Sequence, residues 1–334
     1  MTVNWGIIGC GAIADKCTAP AMKAAGSAAL VAVMRRQEDK ARAFAEKWEV
    51  PKVYTTVDAV LSDDDITAVY VATPIHLHME QTIKAAESGK HVLVEKPMGL
   101  TSAECARMIE ACEQNGVKLA VCFYQRFNAR HQKMRDMIAD GHIGQVVGAR
   151  IQFGQYYPET EGSWRQIPEM GGGGTIMDTG SHCVDTLRAL LNAEVDEVLA
   201  LVDTLVFSYP VDDTTSMLLR FDNGVQGVVT SYWNTPDVNQ TSLNIVEVYG
   251  TSGQLVGSPI NAKNSDGFLK AYTTGEWTEH YFEKNTHAAL LDAFAACIEH
   301  DGPSPIPGED GMRGMQVIEA ALESARTGRI VKVG

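Results

Sequence analysis

The segment Gly9-Cys10-Gly11-Ala12-Ile13-Ala14, directly after the apolar run Val3–Ile8, constrains this chain's fold more than any other feature. It has the form G-x-G-x-x-A. A strand, a tight glycine turn and a helix N-terminus are what a dinucleotide pyrophosphate requires: Gly9 permits the turn, Gly11 lets phosphates approach the backbone, and small Ala14 lets the helix pack on the strand. Ala12 and Ile13 lie in the first turn of that helix. Such a turn is also found without nucleotide, so the surrounding pattern matters. Further βα alternation follows: Leu30–Met34, a helix Asp39–Trp48, Ala68–Ala72, a helix to Ser88, then Val92–Val94. This predicts a doubly wound α/β (Rossmann) domain over residues 1–122. Thr73-Pro74 and Glu95-Lys96-Pro97 end two of these strands, and ligands of open α/β sheets bind at carboxyl strand ends.

An acid at the end of the second strand would bond the ribose 2′-hydroxyl of NAD, whereas arginine accommodates the 2′-phosphate of NADP. Here Met34-Arg35-Arg36 holds that place, and Glu38 and Asp39 come later. The expectation is NADP, with NAD as the alternative should Arg35 and Arg36 be solvated loop charges.

From residue 123 to 334 the pattern changes. A helix His131–Asp140 precedes β-rich runs at Val146–Tyr156, Val198–Val206, Ser216–Phe221, Val225–Trp233 and Asn244–Tyr249, with Asp222-Asn223-Gly224 as a hairpin signal. Helices at about Thr286–Glu299 and Asp310–Thr327 close the chain. The expectation is a second, α+β domain with an antiparallel sheet.

Composition excludes several classes. With 28 Lys and Arg against 42 Asp and Glu, the net charge of -14 repels a polyanion, so no nucleic-acid partner is expected. No apolar run approaches a membrane span and no leader pattern opens the chain, so a soluble cytoplasmic protein is expected. Seven cysteines without a Cys-x-x-Cys pair read as reduced, buried thiols. Cys105 and Cys112 fall on one helix face about 10 Å apart, too far to bridge.

Chemistry concentrates in Gly171-Gly172-Gly173-Gly174 and the following Asp178, His182 and Asp185. On a helix running to about Leu191, those three residues and Ala189 share an arc of about 60°, opposite Cys183, Val184, Leu187, Leu190 and Leu191. The polar arc is either solvated or lines a cleft. Four glycines upstream favour the cleft, since bare backbone admits a ligand closely. Asp178, His182 and Asp185 could converge on a metal, but no fourth ligand is in reach, and no metal is expected.

Taken in order and spacing, Gly9-x-Gly11-x-x-Ala14, Thr73-Pro74-x-x-Leu77-His78, Glu95-Lys96-Pro97 and Asp178-x-x-x-His182 resemble the Gfo/Idh/MocA family of NAD(P)-dependent sugar oxidoreductases. The resemblance covers essentially the whole chain, including Gly308-Glu309-Asp310-Gly311 and Ser324–Arg329. It implies a Rossmann domain, then a domain with a large, mostly antiparallel open sheet whose face often serves oligomerisation, and thus a homodimer or homotetramer. It implies a sugar, anhydro-sugar or cyclic polyol substrate, with a hydroxyl interconverted with a ketone or lactone. Lys96, Asp178 and His182 match the catalytic set, Glu95 a position that touches the nicotinamide ribose, and His78 the residue after Thr73-Pro74, with a packing role beneath the nicotinamide. Either Lys96 or His182 can transfer the proton, and Asp178 can orient the imidazole or bond a substrate hydroxyl. Trp164-Arg165, Tyr156 and Arg126 are further candidates for hydroxyl binding. Anhydro-sugar reductases and inositol, glucose-type and dihydrodiol dehydrogenases are the relatives that fit. Because the family also contains NAD(P)-binding regulators without turnover, a silent sensor is the alternative; retention of Lys96, Asp178 and His182 speaks against it.

Overall fold

In the computed structural model the described residues are 2–236, 244–260, 267–282 and 285–334. They divide into two compact units, 1–124 with 287–313, and 125–286 with 314–334. The division falls two residues beyond the boundary read from the sequence. It also returns the segment 287–313 to the first unit, which a single linear boundary leaves out. Among the described residues, no helix is long and apolar enough to cross a membrane.

The first unit is built on six parallel strands: β1 Val3–Ile8, β2 Ala28–Met34, β3 Lys52–Tyr54, β4 Ala68–Val71, β5 His91–Val94 and β6 Leu119–Val121, in the spatial order β3-β2-β1-β4-β5-β6. Strands β1, β4 and β5 are nearly all apolar because helices cover both sheet faces; every residue of β4 is buried. Order reverses between β1 and β4, so the crevice at their carboxyl ends is the switch point where doubly wound sheets take ligands. Helix Thr286–Glu299 belongs mostly to this unit, and its Phe294 ring lies 5.9 Å from that of Trp5, both fully buried.

Among the described residues the second unit carries nine strands. They are β7 Val146–Gly154, β8 Val195–Asp203, β9 Thr214–Phe221, β10 Gln226–Tyr232, β11 Ile245–Gly250, β12 Gly253–Ser258, β13 Phe268–Thr273, β14 Glu276–His280 and β15 Val331–Lys332. Their order is β14-β13-β12-β11-β7-β10-β9-β8-β15, antiparallel except for the parallel pair β7 and β10. The period-2 pattern decides the faces: in β9, Thr215, Met217, Leu219 and Phe221 are buried while Leu218 and Arg220 are exposed. The hairpin signal at Asp222-Asn223-Gly224 joins β9 to β10, with Gly224 at φ +84°. The buried face is covered by helix Ser181–Leu191, whose residues 181–188 are all buried. The C-terminal segment docks here too, Ala200 N–H donating to Ser324 Oγ at 3.0 Å. All seven cysteines are buried.

Candidate active site

In the first unit the glycine turn joins β1 to a helix. Gly9 has φ +94°, and a Cβ there would sit 2.8 Å from Thr73 Cγ2 and 2.9 Å from Ala72 C, so the turn is pressed against the end of β4. Gly9 and Cys10 N–H both donate to Met34 O at the end of β2, at 3.0 and 3.1 Å. The next helix opens with Asp15 N–H on Gly11 O at 3.0 Å. Gly11 is therefore its cap, and the N–H groups of Ala12, Ile13 and Ala14 precede the helical ladder, as an anion site requires. A Cβ on Gly11 would meet only Gly9 O, at 3.9 Å. Packed Gly9 beside open Gly11 fits a pyrophosphate over the turn. Ala14 is fully buried, in a π-turn running Ala14–Thr18.

At the end of β2, Arg35 is half-buried and its Nη1 donates to Cys10 O at 3.2 Å, while Arg36 is exposed. Glu38, the nearest acid, is engaged by Arg42 one helical turn on, at 2.6 and 2.9 Å. Arginine, not carboxylate, is what this strand end offers to a ribose.

At the ends of β4 and β5, His78 is 1% exposed, with Nε2 2.8 Å from Thr73 O and Nδ1 3.1 Å from Pro97 O. A neutral ring has one N–H, so one of the two carbonyls faces a lone pair. Burial pushes this imidazole down to about 4. The ring thus ties the Thr73 loop to the cis peptide Lys96-Pro97 and is buried beneath the surface. Glu95 is also buried. It accepts a hydrogen bond from Tyr70 Oη, holds the Lys96 backbone N–H on Oε2 at 3.1 Å, and burial raises its carboxyl above the ordinary range. Thr73 Oγ1 donates to Gln81 Oε1 at 2.7 Å. Tyr70 and Gln81 went unnoticed in the sequence because they lie inside a strand and a helix of otherwise ordinary pattern.

In the second unit, the helix with the aspartate and histidine does not start as a regular α-helix. Ile176–Gly180 form a π-turn, followed by the α-helix Ser181–Leu191. The 100° phasing assumed from sequence therefore fails across this turn, and the polar arc is not solvated: His182 is 4% exposed and Asp185 fully buried. Asp178 Oδ2 accepts from Gln155 Nε2 at 2.8 Å, and Oδ1 lies 3.9 Å from Arg165 Nε. The Arg165 guanidinium stacks 4.3 Å over the Trp164 ring. With a guanidinium and an amide as neighbours, Asp178 is set up as a carboxylate that accepts hydrogen bonds. The His182 ring packs 5.8 Å from that of Phe153. Asp178, Gln155, Arg165 and Trp164 thus form one cluster. Gln155 was missed; its place just after β7 was its one available signal.

Two other candidates are placed elsewhere. Arg126 forms a two-pronged ion pair with Asp185, Nη2 to Oδ1 at 2.7 Å and Nε to Oδ2 at 3.2 Å, and Arg188 Nη1 stands 3.8 Å from the same carboxylate. Its charge is engaged in neutralising a buried acid rather than presented as a hydroxyl binder. Tyr156 is 50% exposed, in an isolated bridge with Asn234, its ring 6.1 Å from Phe207. The glycine run also has a different cause from the one expected. A Cβ on Gly174 would lie 1.8 Å from Asp212 O and one on Gly171 3.1 Å from Arg165 O, so the protein's own backbone approaches it.

Residues 3–123 match the family described as oxidoreductases with an NAD-binding Rossmann fold, and residues 131–256 match the GFO/IDH/MocA C-terminal domain. The chain belongs to the Gfo/Idh/MocA oxidoreductase family. Among its Gfo/Idh/MocA relatives, the 1,5-anhydro-D-fructose reductase of Ensifer adhaerens is 32% identical over 332 residues, 99% of this chain and 98% of that one. A D-xylose 1-dehydrogenase (NADP(+)) of Haloferax volcanii is 30% identical over 98% of this chain and 99% of that one. The crystal structure of the aldose-aldose oxidoreductase of Caulobacter crescentus, complexed with glycerol, superposes with a TM-score of 0.92 at 28% identity, over 99% of this chain and 100% of that one.

Proposed function

We propose that this Gfo/Idh/MocA protein is an NADP-preferring oxidoreductase that transfers a hydride between the nicotinamide and a sugar, anhydro-sugar or cyclic polyol, interconverting a hydroxyl with a ketone or lactone. One observation carries it: the Gly9 turn is pressed on Thr73 at the switch point of a six-stranded parallel sheet, with an open Gly11 and helix N–H groups beside it. A dinucleotide whose pyrophosphate is held over this turn would supply the hydride chemistry through its nicotinamide. This chain's residues then manage the hydroxyl proton. Lys96 and His182 are the groups that give or take it, and Lys96 can also stabilise negative charge on the carbonyl oxygen. Asp178, flanked by Gln155 and Arg165, accepts a hydrogen bond from a substrate hydroxyl. Names of relatives support the substrate class: a 1,5-anhydro-D-fructose reductase and a D-xylose dehydrogenase align along nearly the full chain.

NADP preference rests on Arg35 and Arg36 at the end of β2 and on the engagement of Glu38 by Arg42. Fluorescence titration with NADPH and NADH tests it. The wild-type protein should bind NADPH at least tenfold more tightly, and Arg36→Ala should lose most of that advantage while NADH affinity stays within twofold. Equal affinities in the wild-type protein, or an Arg36→Ala variant that keeps the preference, would overturn it. Self-association through the open face of the nine-stranded sheet, where Leu201 and Leu218 are 69% and 55% exposed, belongs to the same proposal.

A further inference from the structure

The helix that carries Asp178 and His182 begins with three consecutive N–H groups that end on a single residue. Gly174 N–H donates to Asp212 Oδ1 at 2.6 Å, Thr175 N–H to Asp212 O at 3.0 Å, and Ile176 N–H to Asp212 Oδ2 at 2.8 Å. Such N-terminal donors have no partner inside the helix, and a carboxylate beside them also meets the positive end of the macrodipole. Asp212 is 7% exposed and lies two residues before β9, where Thr215 Oγ1 adds a third donor to the carboxylate at 2.9 Å. Contact is tight enough to forbid a side chain at 174, which accounts for the last glycine of the run.

The link from this cap to the site is short. Gly174, held through its N–H, accepts the Asp178 N–H on its own carbonyl at 3.1 Å, and Ser181 Oγ reaches back to Asp178 O at 3.1 Å. The intervening π-turn is wider than an α-turn and its hydrogen bonds are less well aligned, so external anchors decide where its side chains point. Buried hydroxyls supply a second anchor: Thr175 Oγ1 lies 2.7 Å from Thr179 Oγ1 and 2.5 Å from Ser231 Oγ. We propose that Asp212 is a positioning residue for the reaction, fixing peptides 174–176 so that Asp178 and His182 are held in working geometry. This rests on the reading of those two residues as the hydroxyl-handling pair.

The full-length Asp212→Asn and Thr215→Val variants test it. Asparagine keeps the shape but turns one acceptor oxygen into a donor facing an N–H. Valine removes only the hydroxyl donor and leaves the cap in place, so it keeps the test open should Asp212→Asn fold poorly. Expected for Asp212→Asn are a kcat at least tenfold lower on the best sugar or polyol substrate and an NADPH Kd within twofold of wild type. Amide exchange at 174–178 should be at least tenfold faster and the His182 ring resonances displaced; Thr215→Val should show two- to fivefold effects in the same direction. Faster exchange with kcat within twofold of wild type overturns positioning. Unchanged exchange overturns the cap itself, and a kcat loss matched by an equal loss of NADPH-binding capacity assigns the effect to unfolding and counts against the proposal. Should the wild-type protein turn over no sugar or polyol, the functional reading fails separately, and exchange together with the His182 resonances still decides whether Asp212 fixes the helix.

Discussion

Two buried histidines make stability depend on pH in a calculable way. His78 in the first unit and His131 in the second are 1% and 4% exposed, and burial pushes their imidazoles from 6.5 down to about 4 and about 3. A histidine whose folded pKa is depressed stays neutral in the folded chain but is protonated in the unfolded one, so stability falls as pH drops below about 6.5 and levels off only near the folded pKa. Integrating from pH 7 to pH 5 with those values gives a loss of about 2 kcal/mol for each histidine. Glu95 and Asp212 act with the opposite sign, because burial raises both carboxyls, and their share is common to wild type and histidine variants. The assay is urea unfolding at pH 7 and pH 5, followed by tryptophan fluorescence, since Trp5 and Trp233 are fully buried, one in each unit. His78→Gln and His131→Gln are less stable than wild type at pH 7, but each should remove about 2 kcal/mol from the loss seen on going to pH 5. Variants that lose as much stability between the two pH values as the wild type would refute the assignment of neutral buried rings.

Other substitutions separate structural from chemical roles. Arg126→Gln removes the two-pronged partner of fully buried Asp185 and leaves it facing Arg188 at 3.8 Å, and should cost about 3 kcal/mol in urea unfolding with little change in KM; a raised KM at unchanged stability would return Arg126 to substrate binding. Gly9→Ala forces a side chain into positive φ within 2.9 Å of Ala72 C, and should cost about 2 kcal/mol or more and weaken NADPH binding at least tenfold, checked by calorimetry and titration. Wild-type NADPH affinity in that variant would show the turn to be uninvolved.

Much of the first unit was legible in the sequence because burial on both faces leaves an unbroken apolar run, as in β1, β4 and β5. Strands β3 and β6, three residues each, were not, since Lys52-Val53-Tyr54 and Leu119-Ala120-Val121 are too short to display a period. In the second unit β7 to β11 were read within three residues, whereas β12 to β14 escaped: Gly253 and Gly257 interrupt one, and β14 is exposed along almost its whole length. The helix with Asp178 and His182 was found, but a π-turn leaves no mark on a 3.6-residue pattern, so the sequence left its polar arc as either solvated or lining a cleft, and the structure buries His182 and Asp185. The Arg126–Asp185 pair spans 59 positions, and the Asp212 contact to Gly174 spans 38; neither separation carries a local signal. The strand, glycine turn and helix around Gly9 were legible because such a turn depends on short, fixed spacings.

Hydride transfer to or from a sugar or polyol is tested most directly at the nicotinamide absorbance. Purified protein is mixed with NADPH or NADP, and with NADH or NAD, across a panel of aldoses, anhydro-sugars, ketoses and cyclic polyols, with Lys96→Met run in parallel. Turnover of at least one member by the wild-type protein, abolished in Lys96→Met while NADPH titrates unchanged, is the expected result. Tight NADPH binding without turnover of any member, or a fully active Lys96→Met variant, would contradict it.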